Sequence, residues 1–243
     1  VDAQTHYDHL FGTSASLAPG PVNLPRDRFD THLAVSRGNW QLRAAYQDLR
    51  DAGVGAGTAQ ALDPSARFAS KQLETDLTYH NSQFASQWDV TAQLSYLDTA
   101  FKNTRNQVLF PPGAFGGAYP QGFIGNTFAS ERHTRLDLSG FYSGFEKHTL
   151  RLGTGYYYGD LYQTKSVTNF GTDPTTGRPL PPNSPLVDSS DTPYVFIPEK
   201  SRQNGYLFLQ DAWQFANQWE LTAGIRYDDY SDFGTTLNPR LAA

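Results

Sequence analysis

Three segments of the chain repeat one pattern of alternating apolar and polar residues. The segments are NWQLRAAYQD from Asn39, QWDVTAQLSYLD from Gln87 and QWELTAGIRYDD from Gln218. Each opens with Asn or Gln followed by Trp, alternates through aliphatic residues, and reaches Tyr six to eight positions after the Trp and then Asp. A period of two predicts β-strands with one apolar and one polar face. Three in-phase copies therefore constrain the chain to a β-sheet.

The alternating segments pair into four hairpins. Each hairpin is closed by a short turn, at 37–39, 81–87, 144–147 and 216–218. Successive hairpins are separated by long loops rich in Gly, Pro and Asn, at 51–66, 99–133 and 161–201. The final stretch, 232–243, is interpreted as a loop and the first residues of a further strand. Helical periodicity is weak, so the sequence predicts an all-β fold, an antiparallel meander of about eight strands.

The connection lengths distinguish the two ends of the predicted sheet. Successive connections of an antiparallel meander lie at opposite ends, so one end carries the short turns and the other the long loops. From Trp to Tyr a repeated segment spans roughly 20–26 Å, which approaches the apolar band of about 25 Å that aromatic girdles border in transmembrane barrels. The sequence therefore predicts a section of a transmembrane β-barrel with short periplasmic turns and long extracellular loops. The residues predicted to face lipid are Trp40, Trp88, Trp219, Leu221, Ala223, Ile225 and Tyr227.

A half-buried strand of a soluble protein shows the same alternation, so a single copy does not distinguish lipid from a soluble core. The assignment to lipid depends on the three in-phase copies and on the short turns at their Trp ends. The strand before Trp219 is ambiguous, because both parities are apolar from Tyr206 to Leu209. Asp211 shares its parity with Leu209 and Trp213. A lipid-facing Asp is costly unless it lies near an interface, and the faces of this strand are left unassigned.

Composition excludes several classes of protein. The 243 residues carry a net charge of −5 without a run of Lys or Arg, which argues against a nucleic-acid partner. Mean hydropathy is −0.54, and no apolar run approaches the roughly 18 residues of a spanning helix. Without Cys there are no disulfides or thiolate sites. The chain also lacks Met and begins at Val1 without a signal peptide, so we expect an internal section of a longer protein.

The sequence shows no catalytic constellation, since it contains no nucleophile elbow, zinc-protease or phosphate-loop pattern. We therefore expect a protein that is not an enzyme and that holds no metal or other cofactor. His6 and His9 could in principle bind a metal, although a solvated terminal segment is the simpler interpretation. Asp228, Asp229 and Asp232 form an acidic group whose spacing fits no calcium loop, and a solvated loop boundary is expected there.

The last 38 residues, YLFLQDAWQFANQWELTAGIRYDDYSDFGTTLNPRLAA, resemble TonB-dependent outer-membrane receptors. The resemblance lies in an aromatic-rich strand with Gln-Asp, a turn, a strand of the form Trp-x-Leu-Thr-x-Gly-x-Arg-Tyr-Asp, and Asn-Pro-Arg opening the next strand. The matching residues are Gln210, Asp211, Trp219, Leu221, Thr222, Gly224, Arg226, Tyr227, Asp228, Asn238, Pro239 and Arg240. Over the rest of the chain the resemblance is one of architecture and pattern.

The resemblance implies a receptor of the Gram-negative outer membrane. Such receptors are 22-stranded barrels with an N-terminal plug, and the TonB-ExbB-ExbD system acts through that plug. The implied partners are therefore this system, a small-molecule nutrient such as an iron–siderophore complex, and outer-membrane lipid. The sequence shows neither a plug nor a TonB box, so residues 1–243 are interpreted as a partial receptor β-barrel domain.

Two sets of residues are candidates for recognition. Those on the parity predicted to face the lumen are Arg43, Asp89, Arg151, Glu220, Thr222, Arg226 and Asp228. In a barrel they would pair with one another, contact a plug, or form a hydrated wall without a ligand. The second set lies in the predicted loop 99–133 and consists of Arg105, Phe115, Tyr119 and Phe123. These aromatic residues either close over a bulky nutrient or pack on each other to order the loop, and both interpretations stay open.

Three other functions remain compatible with the sequence. Eight strands can close into a complete small outer-membrane barrel, either a passive channel or an adhesin-like protein. A soluble all-β module could bind carbohydrate through its aromatic loops. A secreted hydrolase would need paired carboxylates in a cleft, and the sequence places no such pair in space.

Overall fold

The computed structural model describes residues 8–9, 16–57, 61–113 and 115–243. Its sheet is antiparallel, and its strands are β1 (Asp27–Arg37), β2 (Trp40–Gly53), β3 (Arg67–Ala85), β4 (Trp88–Arg105), β5 (Val108–Phe110), β6 (Phe123–Tyr142), β7 (His148–Thr168), β8 (Val187–Asp188), β9 (Lys200–Ala216), β10 (Trp219–Tyr230) and β11 (Gly234–Ala242).

The strands follow one another as a meander in the order β1-β2-β3-β4-β6-β7-β9-β10-β11, with β5 on β6 and β8 on β7. The predicted all-β meander is confirmed, with nine strands along the path rather than about eight. β1 and β11 form the two edges, so the described sheet is open. No helix in the described ranges has the length and hydropathy of a membrane-spanning helix.

Several strands are longer than the sequence predicts. β3 continues to Ala85 through the predicted turn 81–87, and the predicted loop 99–133 shrinks to 106–122. Backbone pairing continues where the apolar alternation has stopped, as at Lys102 opposite Phe128, because ladder hydrogen bonds do not require apolar side chains. Arg105 and Phe123, predicted in a loop, are therefore the last residue of β4 and the first of β6.

The two ends of the sheet differ as predicted, with one exception. The short-turn end carries the connections 38–39, 86–87, 143–147 and 217–218, and Gly38 adopts the positive φ of 56° that a two-residue hairpin turn favours. The loop end carries 54–66, 106–122 and 169–199. The exception is 231–233, a three-residue turn at the loop end where a loop was predicted.

The register gives the sheet one apolar and one polar face. Val90, Gly140, Leu152, Leu209 and Ile225 are cross-strand neighbours from β4 to β10. They belong to the apolar face, where Leu209 is 50% exposed and Ile225 46%. The residues next to these along each strand point to the opposite, polar face. They are Thr91, Ser139, Gly153, Phe208 and Arg226. Within the described ranges, the buried apolar side chains are Ala52, Ala61, Leu62, Ala66, Ile124 and Tyr206.

Two glycines of β7 let aromatic side chains lie flat on the polar face. A Cβ built on Gly155 would stand 2.5 Å from the Tyr206 ring, and one on Gly153 would stand 2.6 Å from the Phe208 ring. Contacts that short do not occur, so both rings occupy space that any other residue would fill. The same relation holds on the apolar face, where the Trp88 ring covers Gly140 at 3.1 Å.

Candidate functional site

The apolar face is bordered by tryptophans toward the short-turn end. The register carries Trp40 across β3 to Ala92 of β4, and Trp88 lies four residues closer to the short turns than Ala92. The cross-strand partners of Trp88, followed through β6, β7 and β9, lead to Ala223 of β10. Trp219 lies four residues closer to the short turns than Ala223. This Trp border (Trp40, Trp88 and Trp219) thus shifts by eight residues over six strand spacings.

A second border of tyrosines runs roughly parallel to the first on the same face. This Tyr border (Tyr46, Tyr96 and Tyr227) shifts in the same direction by six residues over the same six spacings. With a rise of about 3.3 Å per residue and strands about 4.8 Å apart, the two borders slope by about 35–43° across the sheet. If each border lies in the plane of the membrane surface, the strands are tilted by that angle from the membrane normal. Strands of membrane barrels are tilted by about 35–45°.

Charged pairs begin directly beyond the Tyr border. Arg132 donates to the Asp160 carboxylate at 2.8 Å, and its guanidinium lies 5.0 Å from the centre of the Tyr162 ring. The hydroxyls of Tyr96 and Tyr162 donate to Asp98 at 3.3 and 3.4 Å. The apolar face thus ends abruptly in ion pairs and tyrosine hydroxyls.

Asp211, left unassigned by the sequence, lies on the apolar face. Its cross-strand neighbours on that face are Leu150 and Ala223, in the same register row as Trp88. The carboxylate is 2.7 Å from Nδ1 of His148, and the His148 ring stacks on Trp213 with 5.7 Å between centroids. Because the Trp border moves toward the short turns by about one residue per strand between Trp88 and Trp219, Asp211 lies about three residues inside that border, where His148 is its polar partner.

The polar face carries networks of hydrogen-bonded charges. Asp76 accepts hydrogen bonds from Arg43 at 3.1 Å and from the Ser95 hydroxyl at 2.9 Å, and from the Gln93 amide. A cavity of about 700 Å³ lies around this network, between β1 and β7. Its other polar lining residues include His32, Glu74, His133, Arg135 and Tyr157.

A second network connects β6, β9 and β10. Asp137 pairs with Arg135 at 2.6 Å and accepts the Tyr206 hydroxyl, while Arg226 lies 3.9 Å above the Tyr206 ring. Arg226 donates to the Asp228 carboxylate at 2.8 Å. Asp228 is 3% exposed, so the expectation of a solvated loop boundary is wrong at this residue, because the aspartate belongs to a strand and has its own guanidinium partner.

The residues predicted for the lumen-facing parity all lie on described strands, and among their charged members Arg226 and Asp228 pair with each other. Arg43 and Arg226 pair with Asp76 and Asp228. Asp89 is 2.8 Å from Nε2 of His80, and Glu220 is exposed beside the register shift of β10. Arg151 contacts two aromatic rings instead of a carboxylate.

At the loop end, the predicted aromatic residues pack on each other. Phe115, Tyr119 and Phe123 contact one another with centroids 4.9–6.1 Å apart. Phe110 joins this loop cluster from β5, and Phe123 stacks on Phe170 of the next loop at 3.8 Å. Packing, one of the two open interpretations, is therefore what the structure contains. Arg105 is exposed at the end of β4, outside these contacts.

Two buried polar side chains join the three long loops. Asn169 accepts from the Ile124 amide and donates to the Gly122 carbonyl, both at 2.8 Å. Asp63 accepts from the Val108 amide at 2.8 Å. Sequence reasoning missed Asn169, Asp63 and Phe170, because their partners lie some 45 residues away and no local pattern marks them.

A cavity of about 340 Å³ lies between the second and third long loops. Its aromatic and aliphatic lining comes from Leu109, Phe170, Tyr194 and Phe196, and its polar lining includes Gln107, Thr127, Ser166, Thr168 and Ser189. We call it the loop cavity. Below it the polar face continues, since Gly125 and Thr127 share their parity with Arg135 and Asp137 on β6.

Local hydrogen bonds shape the third loop. Amide and hydroxyl donors from Thr175 and Thr176 reach the Asp173 carboxylate at 2.8 Å and hold its pKa below the usual range. The hydroxyl and amide of Ser190 lower the pKa of Asp188 in the same way. Because the folded pKa values are depressed, these turns lose stability as pH falls through them.

The described residues contain no group of three or more potential metal ligands. Asp232 pairs with Arg202 at 2.6 Å, while Asp228 and Asp229 point to opposite faces of β10. His9 is described, but His6 lies outside the described residues.

Residues 6–243 match the family model described as "TonB dependent receptor-like, beta-barrel". The match covers nearly the whole chain, and the chain belongs to this family. The resemblance recognised in the last 38 residues is therefore confirmed over almost the full length. A comparison with curated protein sequences gives no match.

Three of the solved structures that the chain matches are receptors for ferric siderophores or siderophores. The ferric preacinetobactin receptor BauA of Acinetobacter baumannii is 14% identical with a TM-score of 0.45, and the siderophore receptor PirA of Pseudomonas aeruginosa is 15% identical with a TM-score of 0.33. The ferric enterobactin receptor PfeA of Pseudomonas aeruginosa, in complex with enterobactin, is 13% identical with a TM-score of 0.30. Each match covers 89% of this chain and 36–39% of the other, so the chain spans little more than a third of these receptors.

Proposed function

We propose that residues 1–243 form a section of a receptor barrel in a Gram-negative outer membrane, with the apolar face toward lipid and the polar face toward the lumen. The observation that carries the proposal is the slope of the Trp and Tyr borders. Trp and Tyr favour the two membrane interfaces. Their positions on tilted strands define a level band, and the charged pairs begin beyond it.

The orientation follows from the connections. Short turns at the Trp border face the periplasm, and the long loops face the exterior, as in other outer-membrane barrels. Trp40, Trp88, Trp219, Leu221, Ala223, Ile225 and Tyr227 are the proposed lipid contacts. Asp211, opposite Ala223, lies inside the apolar band in this arrangement, with His148 as its polar partner.

The rival functions receive less support. A small barrel closed by eight strands is not what the sheet forms, since its nine-strand path has two free edges. A soluble carbohydrate-binding module would expose an apolar face spanning all the long strands to water, far beyond the patches that monomeric soluble proteins tolerate. A hydrolase requires a pair of carboxylates in a cleft, and Asp76, Asp137 and Asp228 each have a guanidinium partner.

The proposed cargo is a scarce nutrient such as an iron–siderophore complex, taken up without a chemical step. Membership of the receptor family supports this class, and the loop cavity supplies aromatic surface at the exterior end. Energy would come from the TonB-ExbB-ExbD system through a plug. Phe115, Tyr119 and Phe123 would hold the loops rather than touch the cargo, because they already contact one another. Arg105 is an exposed cation nearby, at the end of β4.

The test is uptake of radioactive iron supplied as ferric catecholate or ferric hydroxamate complexes. Cells expressing the receptor should accumulate one class only when TonB is functional. Phe170→Ala should lower the affinity for that complex about tenfold, because it loosens the loop cavity, while Phe29→Ala on β1 should not. Uptake that is equal with and without TonB, or equal for the vector control, would contradict the proposal.

A further inference from the structure

Three exposed cations lie on the apolar side of the sheet, beyond the Tyr border at the loop end. Lys102 of β4 lies six residues beyond Tyr96. Lys71 of β3 is its diagonal neighbour, with the two residues about 7–8 Å apart. Arg132 of β6 lies on the other side of β4, with its Cα atom about 12 Å from that of Lys71. We call Lys71, Lys102 and Arg132 the outer cation group.

The carboxylates of this region lie beneath the cations. Asp160, which pairs with Arg132, has a side chain that is 14% exposed, whereas the Arg132 side chain is 48% exposed. Asp48, opposite Lys71 in the register, is 2% exposed and pairs with an arginine of its own strand. Asp98 is half-buried and accepts two tyrosine hydroxyls. The layer of the surface that a partner would touch is therefore positive.

The two lysines of the group have no carboxylate partner. Lys71 and Lys102 are exposed and form no ion pair with any residue that the structure describes. β3 and β4 are inner strands of the sheet, and both side chains point away from the polar face. Neither a strand added at an edge nor a group on the lumen side would therefore face them.

Below the cations, the same strands are apolar. Leu77, Leu94 and Leu136 form one cross-strand row, two residues closer to the short turns than Tyr96, and 37–46% of each is exposed. Cations, tyrosine hydroxyls and leucines thus follow one another along β3, β4 and β6. This order is complementary to an amphiphile that has an anionic headgroup and acyl chains.

We propose that the outer cation group binds the phosphates of a glycolipid in the exterior leaflet, which rests on the proposed orientation of the apolar face toward lipid. With about 3.3 Å per residue and a tilt of about 40°, Lys102 lies about 15 Å above Tyr96 along the membrane normal. The headgroup region of a phospholipid leaflet is only about 5–8 Å thick, so a taller sugar-phosphate headgroup fits better. Ammonium groups bind phosphate as point charges.

The test is native mass spectrometry of the detergent-purified receptor with diphosphoryl lipid A, a disaccharide that carries acyl chains and a phosphate at each end. The phosphate-free form of the same lipid is the comparison, and the diphosphoryl form should bind at least tenfold more tightly. The double variant Lys71→Gln/Lys102→Gln should weaken its binding at least fivefold. Lys147→Gln, at an exposed lysine in the turn 143–147 of the short-turn end, should change binding less than twofold.

A charge-conserving variant and free phosphate distinguish the causes of binding. Lys71→Arg/Lys102→Arg should keep the affinity within twofold, because the positive charges stay in place. Inorganic phosphate in excess should not displace the lipid, since it lacks the acyl chains that contact the leucines. Equal binding of the two lipids, unchanged binding by the Gln double variant, or displacement by inorganic phosphate would overturn the proposal.

Failure of this site and failure of the proposed function give different results. A receptor that inserts into phosphatidylcholine vesicles with its apolar face in lipid, but binds both forms of the lipid equally, lacks only the phosphate site. A receptor that does not insert into such vesicles would overturn the lipid-facing assignment itself, and this proposal with it.

Discussion

Asp211 and His148 are the residues whose placement depends most on their surroundings. Each is about one-third exposed, and they form an acid–imidazole contact at 2.7 Å on an otherwise apolar face. Removing one partner leaves the other without its hydrogen bond in a poorly solvated position, whereas removing both leaves an apolar surface.

We therefore expect the effects of His148→Leu and Asp211→Leu on the free energy of unfolding not to be additive. His148→Leu should lower the free energy of unfolding by about 1–3 kcal/mol, and the double variant His148→Leu/Asp211→Leu should recover most of that loss. Urea unfolding in lipid vesicles measures both. A double variant as unstable as the sum of the single ones would show that the two residues are not coupled.

Ile225 and Thr222 provide a matched pair on one strand. Ile225 lies on the apolar face within the band from Trp219 to Tyr227, and Thr222 lies on the polar face. Ile225→Arg should lower the free energy of unfolding by about 2–4 kcal/mol in a bilayer, while Thr222→Arg should be nearly neutral. Equal effects of the two substitutions on unfolding in vesicles would contradict the assignment of faces.

Sequence patterns predict the faces of single strands but not their neighbours. Period-two alternation gives the parity of Ile225 and Tyr227 directly, because only the backbone geometry of one strand is involved. The partner of Asp211 depends on the register between β7 and β9, which a long loop separates. His148 lies 63 residues before Asp211 in the chain, so no local pattern could identify it.

At the scale of elements, β7 and β9 interlock through glycine and aromatic residues. The Tyr206 ring occupies the place of a side chain at Gly155. Gly155→Ala should therefore force the ring to move and cost about 1–3 kcal/mol of stability. Gly205→Ala is the matched control, since a Cβ at Gly205 meets nothing within 4 Å.

The cost at Gly155 is specific to the ring. Combining Gly155→Ala with Tyr206→Leu should make the added methyl group nearly neutral, relative to Tyr206→Leu alone. Thermal unfolding is measured for the unaltered protein, the two single variants and the double variant. Gly155→Ala without loss of stability, or a loss that persists in the Tyr206→Leu background, would show that the ring does not depend on this glycine.

The long loops are held by a few buried polar groups. Asn169 satisfies the backbone of 122 and 124 with two hydrogen bonds. Asn169→Ala should leave a buried amide and a carbonyl unpaired and cost about 1–3 kcal/mol locally. Hydrogen exchange at Ile124 and protease cleavage within 169–199 should both accelerate. Asn217→Ala, in the turn at the opposite end, should change neither rate.

Loop contacts are where sequence reasoning fell short. The aromatic composition of 110–123 predicted a cluster or a ligand surface without deciding between them. Packing of the aromatic residues on one another depends in part on Phe170, which belongs to another loop and stacks on Phe123. Strand lengths were underestimated for a related reason, because pairing beyond the apolar band rests on backbone hydrogen bonds that leave little trace in the side chains.

At the scale of the whole molecule, the two aromatic borders and the strand register together give the tilt of the strands. Each border follows from local sequence, but their common slope of about 35–43° requires the register of the sheet. That slope matches the strand tilt of a barrel wall. Soluble sheets have no reason to place Trp and Tyr along two nearly parallel diagonals. Family membership and this geometry therefore support the same architecture independently.

The most direct measurement is a spin-label scan of β10 and β2 in lipid vesicles, which the absence of native Cys makes possible with single Cys substitutions. On β10, labels at Leu221, Ala223, Ile225 and Tyr227 should be accessible to oxygen, and those at Thr222, Gly224, Arg226 and Asp228 to a water-soluble nickel reagent.

Depth should be greatest near Ala223 on β10 and near Ala44 on β2, as the slope of the borders requires. The predicted result is that oxygen and nickel accessibility alternate in opposite phase along each strand, with the depth maxima at these two positions. Equal access of the nickel reagent to both faces, or depth maxima on one cross-strand row, would contradict a tilted, lipid-facing sheet.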